Sequence, residues 1–263
     1  MAQSLEAPET TPRVILFDLD NTLFDHYHSM RTAVVAVQKR YITLQSKGVE
    51  DLIEHYNSAL QQAYDAYLAR DITYEEADIK KVRLFFTDLG LPEPSMGDIK
   101  EFRSIYKPAY QESRRATPGS IETLVRLRER TDYHLAILTN GQIEDQETKA
   151  KDIGVYQHVD CVITSEEACY AKPDVRIFQY ALQKFDASAE TAIMVGDSAE
   201  SDIKGAIDAH LDRAILYSPV TKEYHQLILG QKIPIVHDMP SSHSSNASMS
   251  LADLSSRVLE LIW

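Results

Sequence analysis

The sequence predicts an α/β fold: a parallel sheet between layers of helices, interrupted early by an all-helical insertion. Three observations lead there. A short, β-branched apolar stretch, Val14-Ile15-Leu16-Phe17, stands near the start. Residues 26–115 then carry helical periodicity without a clear strand. From residue 116 onward helical and strand patterns alternate, as they do in chains that build a parallel sheet with helices on both faces.

Taken in order, residues 1–12 read as a disordered tail. Residues 14–17 suit a strand buried on both faces. Beyond them, Val34, Val37, Tyr41 and Leu44 share one helical face. Leu52, Tyr56, Leu60, Tyr64 and Tyr67 share a second, and Ile99, Phe102, Tyr106 and Ala109 a third. Tyrosines at this spacing read as packing. The segment ATPGS (116–120) is a turn and helix start with Ser120 as N-cap. A helix carrying Ile121, Leu124 and Leu127 precedes HLAILTNG, and CVITS (161–165) follows. A helix over about 174–185, the stretch AIMVGDS (192–198), a helix from Ser201 and RAILYS (213–218) continue the series. Residues 241–250 read as a polar loop, and LADLSSRVLELI as a closing helix. The expected organisation is a core of residues 13–25 and 116–263 with a helical cap of residues 26–115 inserted after the first strand.

Composition limits the function. A formal charge of −13 over 263 residues argues against a nucleic-acid backbone as partner, which calls for clustered Lys and Arg. Small anionic substrates respond to a local site and stay open. Cys161 and Cys169 show neither disulfide-framework numbers nor metal-ligand spacing, so they read as reduced thiols. The first residues, MAQSLEAPETTPR, lack the basic start and apolar run of a signal peptide. No run of eighteen apolar residues suggests a membrane span. A cytoplasmic protein is expected, and the sequon Asn246-Ala247-Ser248 reads as chance.

In a parallel sheet, sites form outside the carboxyl ends of the strands. The first strand ends in Asp18, Asp20 and Thr22, the second in Thr139, Asn140 and Gly141. Lys172 lies in AKPD after the third, and Gly196-Asp197-Ser198 ends the fourth, with Asp202 close behind. Each segment alone has an ordinary explanation, such as a turn, a cap or a solvated lysine. Together, in this order, four strand ends deliver reactive side chains to one edge.

These segments resemble the haloacid dehalogenase superfamily of phosphohydrolases. DLDNT matches its first motif, LTN the second, the lysine of AKPD the third and GDSAESD the fourth. The insertion matches the branch with a helical cap over a Rossmann-like core, and ILTNG, AKPDVRIF and GDSAESDIKGA look most like its nucleotidases and sugar-phosphate phosphatases. The match weakens in the cap and after residue 218. His210 stands where many relatives have glycine.

Asp18 and Asp20, two apart at a strand exit, can point to the same side. The resemblance implies that Asp18 is the nucleophile, forming an aspartyl-phosphate. Asp20 would protonate the leaving alcohol and then take a proton from the hydrolytic water. Carboxylates crowded into one site repel each other and a phosphate, and a hard cation such as Mg2+ answers both problems. The resemblance assigns Mg2+ to Asp18, the Asp20 backbone carbonyl and Asp197. Lys172, Thr139, Asn140 and nearby backbone N–H groups would bind the substrate phosphate. Asp202 would orient Lys172 or a metal-bound water, while Thr22 and Ser198 shape loops. A dehalogenase would leave Asp20 and the acidic fourth motif without purpose. A phosphomutase of this fold commonly has Gly-Val where this chain has Asn21-Thr22. A non-catalytic binding protein is at odds with the intact set of Asp18, Asp20, Lys172 and Asp197. The expected activity is therefore Mg2+-dependent hydrolysis of a small phosphate ester, a nucleoside monophosphate or a sugar phosphate. His26, Tyr27 and His28, with Arg31, Arg103 and Arg114, are the cap candidates for the leaving group.

Overall fold

The computed structural model of the chain describes residues 13–129 and 133–239. The expected tail at 1–12, polar loop at 241–250 and closing helix lie outside the described residues. Seven strands form one sheet: β1 (Arg13–Phe17), β2 (Tyr133–Thr139), β3 (Cys161–Thr164), β4 (Ala192–Gly196), β5 (Arg213–Tyr217), β6 (His225–Ile228) and β7 (Gln231–Val236). Their order is β3-β2-β1-β4-β5-β7-β6. β1 lies between β2 and β4, parallel to both, with Leu16 beside Ala136 on one side and Met194 on the other. Val14 and Leu16 pack with Leu138, Ile163, Ile177, Phe178 and Met194. Ile15 and Phe17, pointing to the other face, are equally buried, which accounts for an unbroken apolar run where an alternating strand would show polar residues.

The sheet departs from expectation at one edge, where β6 runs antiparallel to β7. Two residues of positive φ, Leu229 (48°) and Gly230 (80°), join them, the backbone of a two-residue hairpin loop. Leucine is a poor residue for that conformation and Pro234 interrupts β7, so the segment carries little hairpin signal.

The chain divides into two compact units, Asp25–Arg115 and the residues flanking it. The inserted unit contains α1 (His26–Arg40), α2 (Ile42–Gln45), α3 (Val49–Leu68), α4 (Tyr74–Asp88) and α5 (Met96–Glu112). Local chemistry sets several starts. The Asp25 carboxylate accepts from the His28 N–H at the head of α1, and Thr73 with Glu76 and Ser95 with Asp98 form capping boxes for α4 and α5. The expected face through Tyr41 is broken, because Tyr41 is extended (φ −97°, ψ 110°) between α1 and α2. On α3 the buried stripe is Leu52, Ile53, Tyr56, Ala59 and Ala63. Leu60, Tyr64 and Tyr67 are only partly buried. Alanines at the contact let α4 approach closely, which moves the larger side chains to the margin.

Asp78 is buried among the cations of this unit. Its carboxylate lies 2.6 Å from Lys81 Nζ, 2.7 Å from Arg103 Nη2 and 3.1 Å from Lys107 Nζ. Burial alone would raise its pKa, but Lys81 and then Lys107 hold it below the usual carboxylate range. An acid depressed on folding stabilises the fold above its unfolded pKa, and that stabilisation is lost as pH falls through the folded value.

In the flanking unit, α6 (Ser120–Arg128), α7 (Ile143–Asp152), α8 (Ser165–Ala168), α9 (Val175–Lys184) and α10 (Gly205–Asp208) accompany the sheet, and a π-helical segment, Ala199–Lys204, runs into α10. Ser120 is not the N-cap of α6; Gly119 takes that position at φ 82°. The Ser120 hydroxyl instead donates to the Leu23 carbonyl at 3.3 Å. The last helical segment therefore begins before Ser201, with Ser198 as its cap. After α10 the N–H groups of His210 and Leu211 donate to the carbonyls of Ile207 and Ala206 at 3.0 Å each. This is a Schellman closure, in which His210 adopts φ 60° at the position that favours glycine. Among the described residues, no helix is long and apolar enough to cross a membrane.

Two outcomes follow from these contacts. Asp78→Asn should destabilise the protein by about 2 kcal/mol, below the ~3–5 kcal/mol of a fully buried pair because its cations reach solvent. Denaturant titrations at neutral pH and below pH ~4 should show the difference between wild type and variant shrinking in acid. His210→Gly should stabilise by about 1 kcal/mol, readable as a raised Tm, since it relieves a left-handed residue bearing a Cβ.

Candidate active site

β1 is the topological switch point: β2 and β3 lie on one side of it, β4 and β5 on the other. The Asp18 N–H extends the ladder beyond β1 by donating to the Val195 carbonyl at 2.9 Å. That fixes the first aspartate at the mouth of the crevice, where the end of β4 brings Asp197 alongside.

The centre is an ammonium between two carboxylates. Lys172 Nζ lies 2.6 Å from Asp18 Oδ1 and 2.6 Å from Asp202 Oδ1. All three residues are buried, with relative exposures of 4%, 7% and 1% respectively, so each charge depends on its partners. Burial opposes the charge on Lys172, but Asp18 and Asp202 hold its pKa well above the ordinary value. The other oxygen of Asp202 accepts from the Ser198 N–H at 3.0 Å. A wide turn makes this possible: Ile203 N–H donates five residues back to Ser198 O at 3.1 Å, a π-type bond of the kind found at functional sites. Gly196 is required here because a methyl group at its Cα would overlap the Asp202 carboxylate.

Asp18, Asp197 and Asp202 each offer an oxygen within 4.8 Å of the others. Burial, partly offset by Lys172, pushes Asp18 up to about 7. Burial and then the charges of Asp18 and Asp202 push Asp197 up to about 8. Acids raised in this way cost stability as pH climbs from their unfolded values through 7 and 8. A divalent cation held by oxygen ligands would remove that cost, and these three carboxylates are a set that could hold one. The side chain of Asp20 is not part of this cluster. Both its oxygens lie 2.9 Å from Lys149 Nζ.

At the second strand end the Asn140 amide brackets the Lys172 backbone: Oδ1 accepts from the Lys172 N–H at 2.8 Å and Nδ2 donates to the Lys172 carbonyl at 3.1 Å. Its side chain thus positions the lysine, and its main chain is what it can still offer a phosphate. Thr139 is buried, its hydroxyl 3.4 Å from Gln146 Oε1. Gln146 Nε2 in turn donates to the Asn140 carbonyl at 3.1 Å. Gly141, at φ 141°, turns the chain into α7, and its N–H donates to Ser165 Oγ at 2.9 Å. Asn21 reverses the chain after Asp20 with φ 61°, a conformation asparagine tolerates. Ser198 Oγ accepts from the Ser201 N–H at 3.0 Å.

Gln146 and Lys149 are the residues that sequence reasoning missed. They are three apart on α7 and so share a face, yet they sit in the almost wholly polar stretch IEDQETKAKD. Nothing in that stretch marks which polar side chains turn inward.

The candidates in the inserted unit have partners within that unit. His26 Nδ1 is 2.7 Å from Tyr110 Oη, and Tyr27 Oη donates to Glu50 at 2.9 Å. Arg31 pairs with Glu50 at 3.0 Å, Arg103 with Asp78, and Arg114 lies over the Tyr110 ring at 5.7 Å. His28 contributes its N–H to the Asp25 cap.

Residues 12–210 match the family described as haloacid dehalogenase-like hydrolase. A ribulose-1,5-bisphosphate 5-phosphatase of Halopiger xanaduensis is 33% identical over 208 residues, covering 78% of this chain and 84% of the relative. The pyrimidine 5'-nucleotidase PynA of Streptococcus pneumoniae is 28% identical over 223 residues, covering 81% and 86%. In fold, the chain is similar to the magnesium-bound HAD-hydrolase YfnB of Bacillus subtilis, with a TM-score of 0.70 and 22% identity over 88% of this chain and 96% of that one. With the fold, the site and the extent of the match in agreement, this chain belongs to the haloacid dehalogenase-like hydrolases.

Proposed function

We propose that the protein is a Mg2+-dependent phosphatase that hydrolyses a small phosphorylated metabolite through an aspartyl-phosphate on Asp18. The observation that carries this reading is the buried Lys172 ammonium bound to Asp18 and Asp202 beside a third carboxylate, Asp197. An arrangement that holds a carboxylate nucleophile next to a fixed positive charge is suited to attack on an anionic phosphorus. The relatives named for a sugar bisphosphate and for pyrimidine nucleotides support a small phosphate monoester, a sugar phosphate or a nucleoside monophosphate.

In the first step an Asp18 carboxylate oxygen attacks phosphorus as the bond to the leaving oxygen breaks, and the proton of Asp20 passes to that oxygen. In the second, Asp20, now ionised, takes a proton from water as the water oxygen bonds to phosphorus and the Asp18–phosphorus bond breaks. Lys172 stays charged throughout, fixed by Asp202 and by the Asn140 bracket, and neutralises charge on the transferring group. The Thr139 hydroxyl and the Asn140 main-chain N–H would be the donors for the remaining phosphate oxygens, the Gly141 N–H being given to Ser165. Asp18 and Asp197, with the Asp20 carbonyl, would hold Mg2+, and Asp202 would orient Lys172 or a metal-bound water. Bound there, Mg2+ supplies positive charge that lets a phosphate dianion approach ionised carboxylates. The inserted helical unit serves as the cap that selects the leaving group.

Phosphate release from an aryl phosphate should require Mg2+, and Asp18→Asn should lower it by at least ~10³-fold while leaving the circular dichroism spectrum unchanged. Activity retained in Asp18→Asn would exclude the covalent route, and halide release from a 2-haloacid in place of phosphate release would make the enzyme a dehalogenase. Mg2+ should also raise the Tm of the wild type, and Asp197→Asn should abolish most of that rise.

A further inference from the structure

α7 presents a second buried lysine to the site. The side chain of Lys149 is 7% exposed, and its ammonium bridges both Asp20 oxygens at 2.9 Å each. Asp145 Oδ2 lies 3.7 Å from the same ammonium, and the Phe24 ring lies 5.8 Å away. One turn earlier, Gln146 fastens the same helix to the Asn140 carbonyl and Thr139 hydroxyl. The helix that leaves the second strand end is thereby tied to that turn, and its next turn reaches across to the aspartate leaving β1.

Stability alone gives little reason for such a pair. A buried ion pair is commonly replaceable by apolar side chains of similar size at no loss, because desolvation offsets the attraction. Geometry gives a better one. An ammonium equidistant from two carboxylate oxygens fixes the carboxylate's position, and a proton-transfer group displaced by about 1 Å loses on the order of 10²-fold in rate.

We propose that Lys149 is a positioning residue for the reaction, holding the Asp20 carboxyl where it meets the leaving oxygen: when Asp20 carries its proton, one oxygen keeps the bond from Lys149 and the other bears the proton that it delivers. This rests on the reading of Asp20 as the proton donor. Lys149 does not touch the reacting atoms; it acts through Asp20, while Lys172 serves Asp18.

The test uses leaving groups of different basicity. An alkyl phosphate such as glycerol phosphate needs a proton on its leaving oxygen, whereas p-nitrophenyl phosphate departs without one. Because kcat/KM reports the steps up to formation of the phospho-enzyme, Lys149→Met should lower it by about 50- to 100-fold for the alkyl ester and by less than about 5-fold for the aryl ester. Lys149→Gln, which keeps one donor, should show the same order with smaller losses. Asp20→Asn, measured in parallel, reports on the underlying reading. If Asp20→Asn affects both esters equally, Asp20 is not the proton donor. If Asp20→Asn discriminates between the esters while both Lys149 variants lower them equally, or leave both unchanged, Lys149 is structural and the proposal is overturned. The double variant Asp20→Asn/Lys149→Met leaves no unpaired charge and guards against unfolding of the single variant. In it, loss of Lys149 should add no discrimination beyond that of Asp20→Asn, and added discrimination overturns the proposal.

Discussion

The buried ammonium of Lys172 between Asp18 and Asp202 is the constraint on which the rest of this molecule depends. None of the three charges is tolerable alone at that depth, and each is held by neighbours contributed from different strand ends. Asp18 is carried by β1, Lys172 by the loop after β3 and Asp202 by the π-helical segment after β4. The order of the sheet places these segments side by side. The Asn140 amide holds the Lys172 main chain, the Ser198 N–H holds the far oxygen of Asp202, and Gly196 leaves that carboxylate room. An anionic substrate would then meet a site whose positive charge is fixed before it arrives, which is how a preorganised site avoids reorganisation during reaction.

Two lysines divide the work of arranging the paired aspartates. Lys172 comes from a loop and binds the first; Lys149 comes from a helix and binds the second. The two carboxylates, two residues apart on the chain, are thus held by separate cations in separate surroundings. Asp18 is buried among acids and its pKa is raised, while Asp20 sits nearer solvent in the grip of Lys149. The inserted unit follows the same rule in its own interior, where Lys81, Arg103 and Lys107 converge on the buried Asp78.

Much of the architecture is legible in the sequence because it is written in local terms. Unbroken apolar runs ending in polar residues mark β1, β2 and β4, and the apolar spacing of Leu52 with Tyr56 and of Ile99, Phe102 and Tyr106 marks two helices of the insertion. The exceptions have local causes too. The β6–β7 hairpin turns on a leucine in a left-handed conformation, α1 breaks at a tyrosine that nothing in its neighbours sets apart, and Ser120 resembles a cap but bonds to Leu23.

By itself the sequence determined the five strands β1 to β5, the insertion and the identity of the residues at the strand ends, since each follows from patterns within about ten residues. Only the tertiary structure decided what those residues do for one another. That Asn140 serves Lys172, that Asp202 pairs with the same lysine, and that Lys149 faces inward to Asp20 are matters of pairing across 30 to 129 positions of chain. Such pairings depend on which charges are buried together, and a polar stretch such as IEDQETKAKD carries no record of that until the helix has packed.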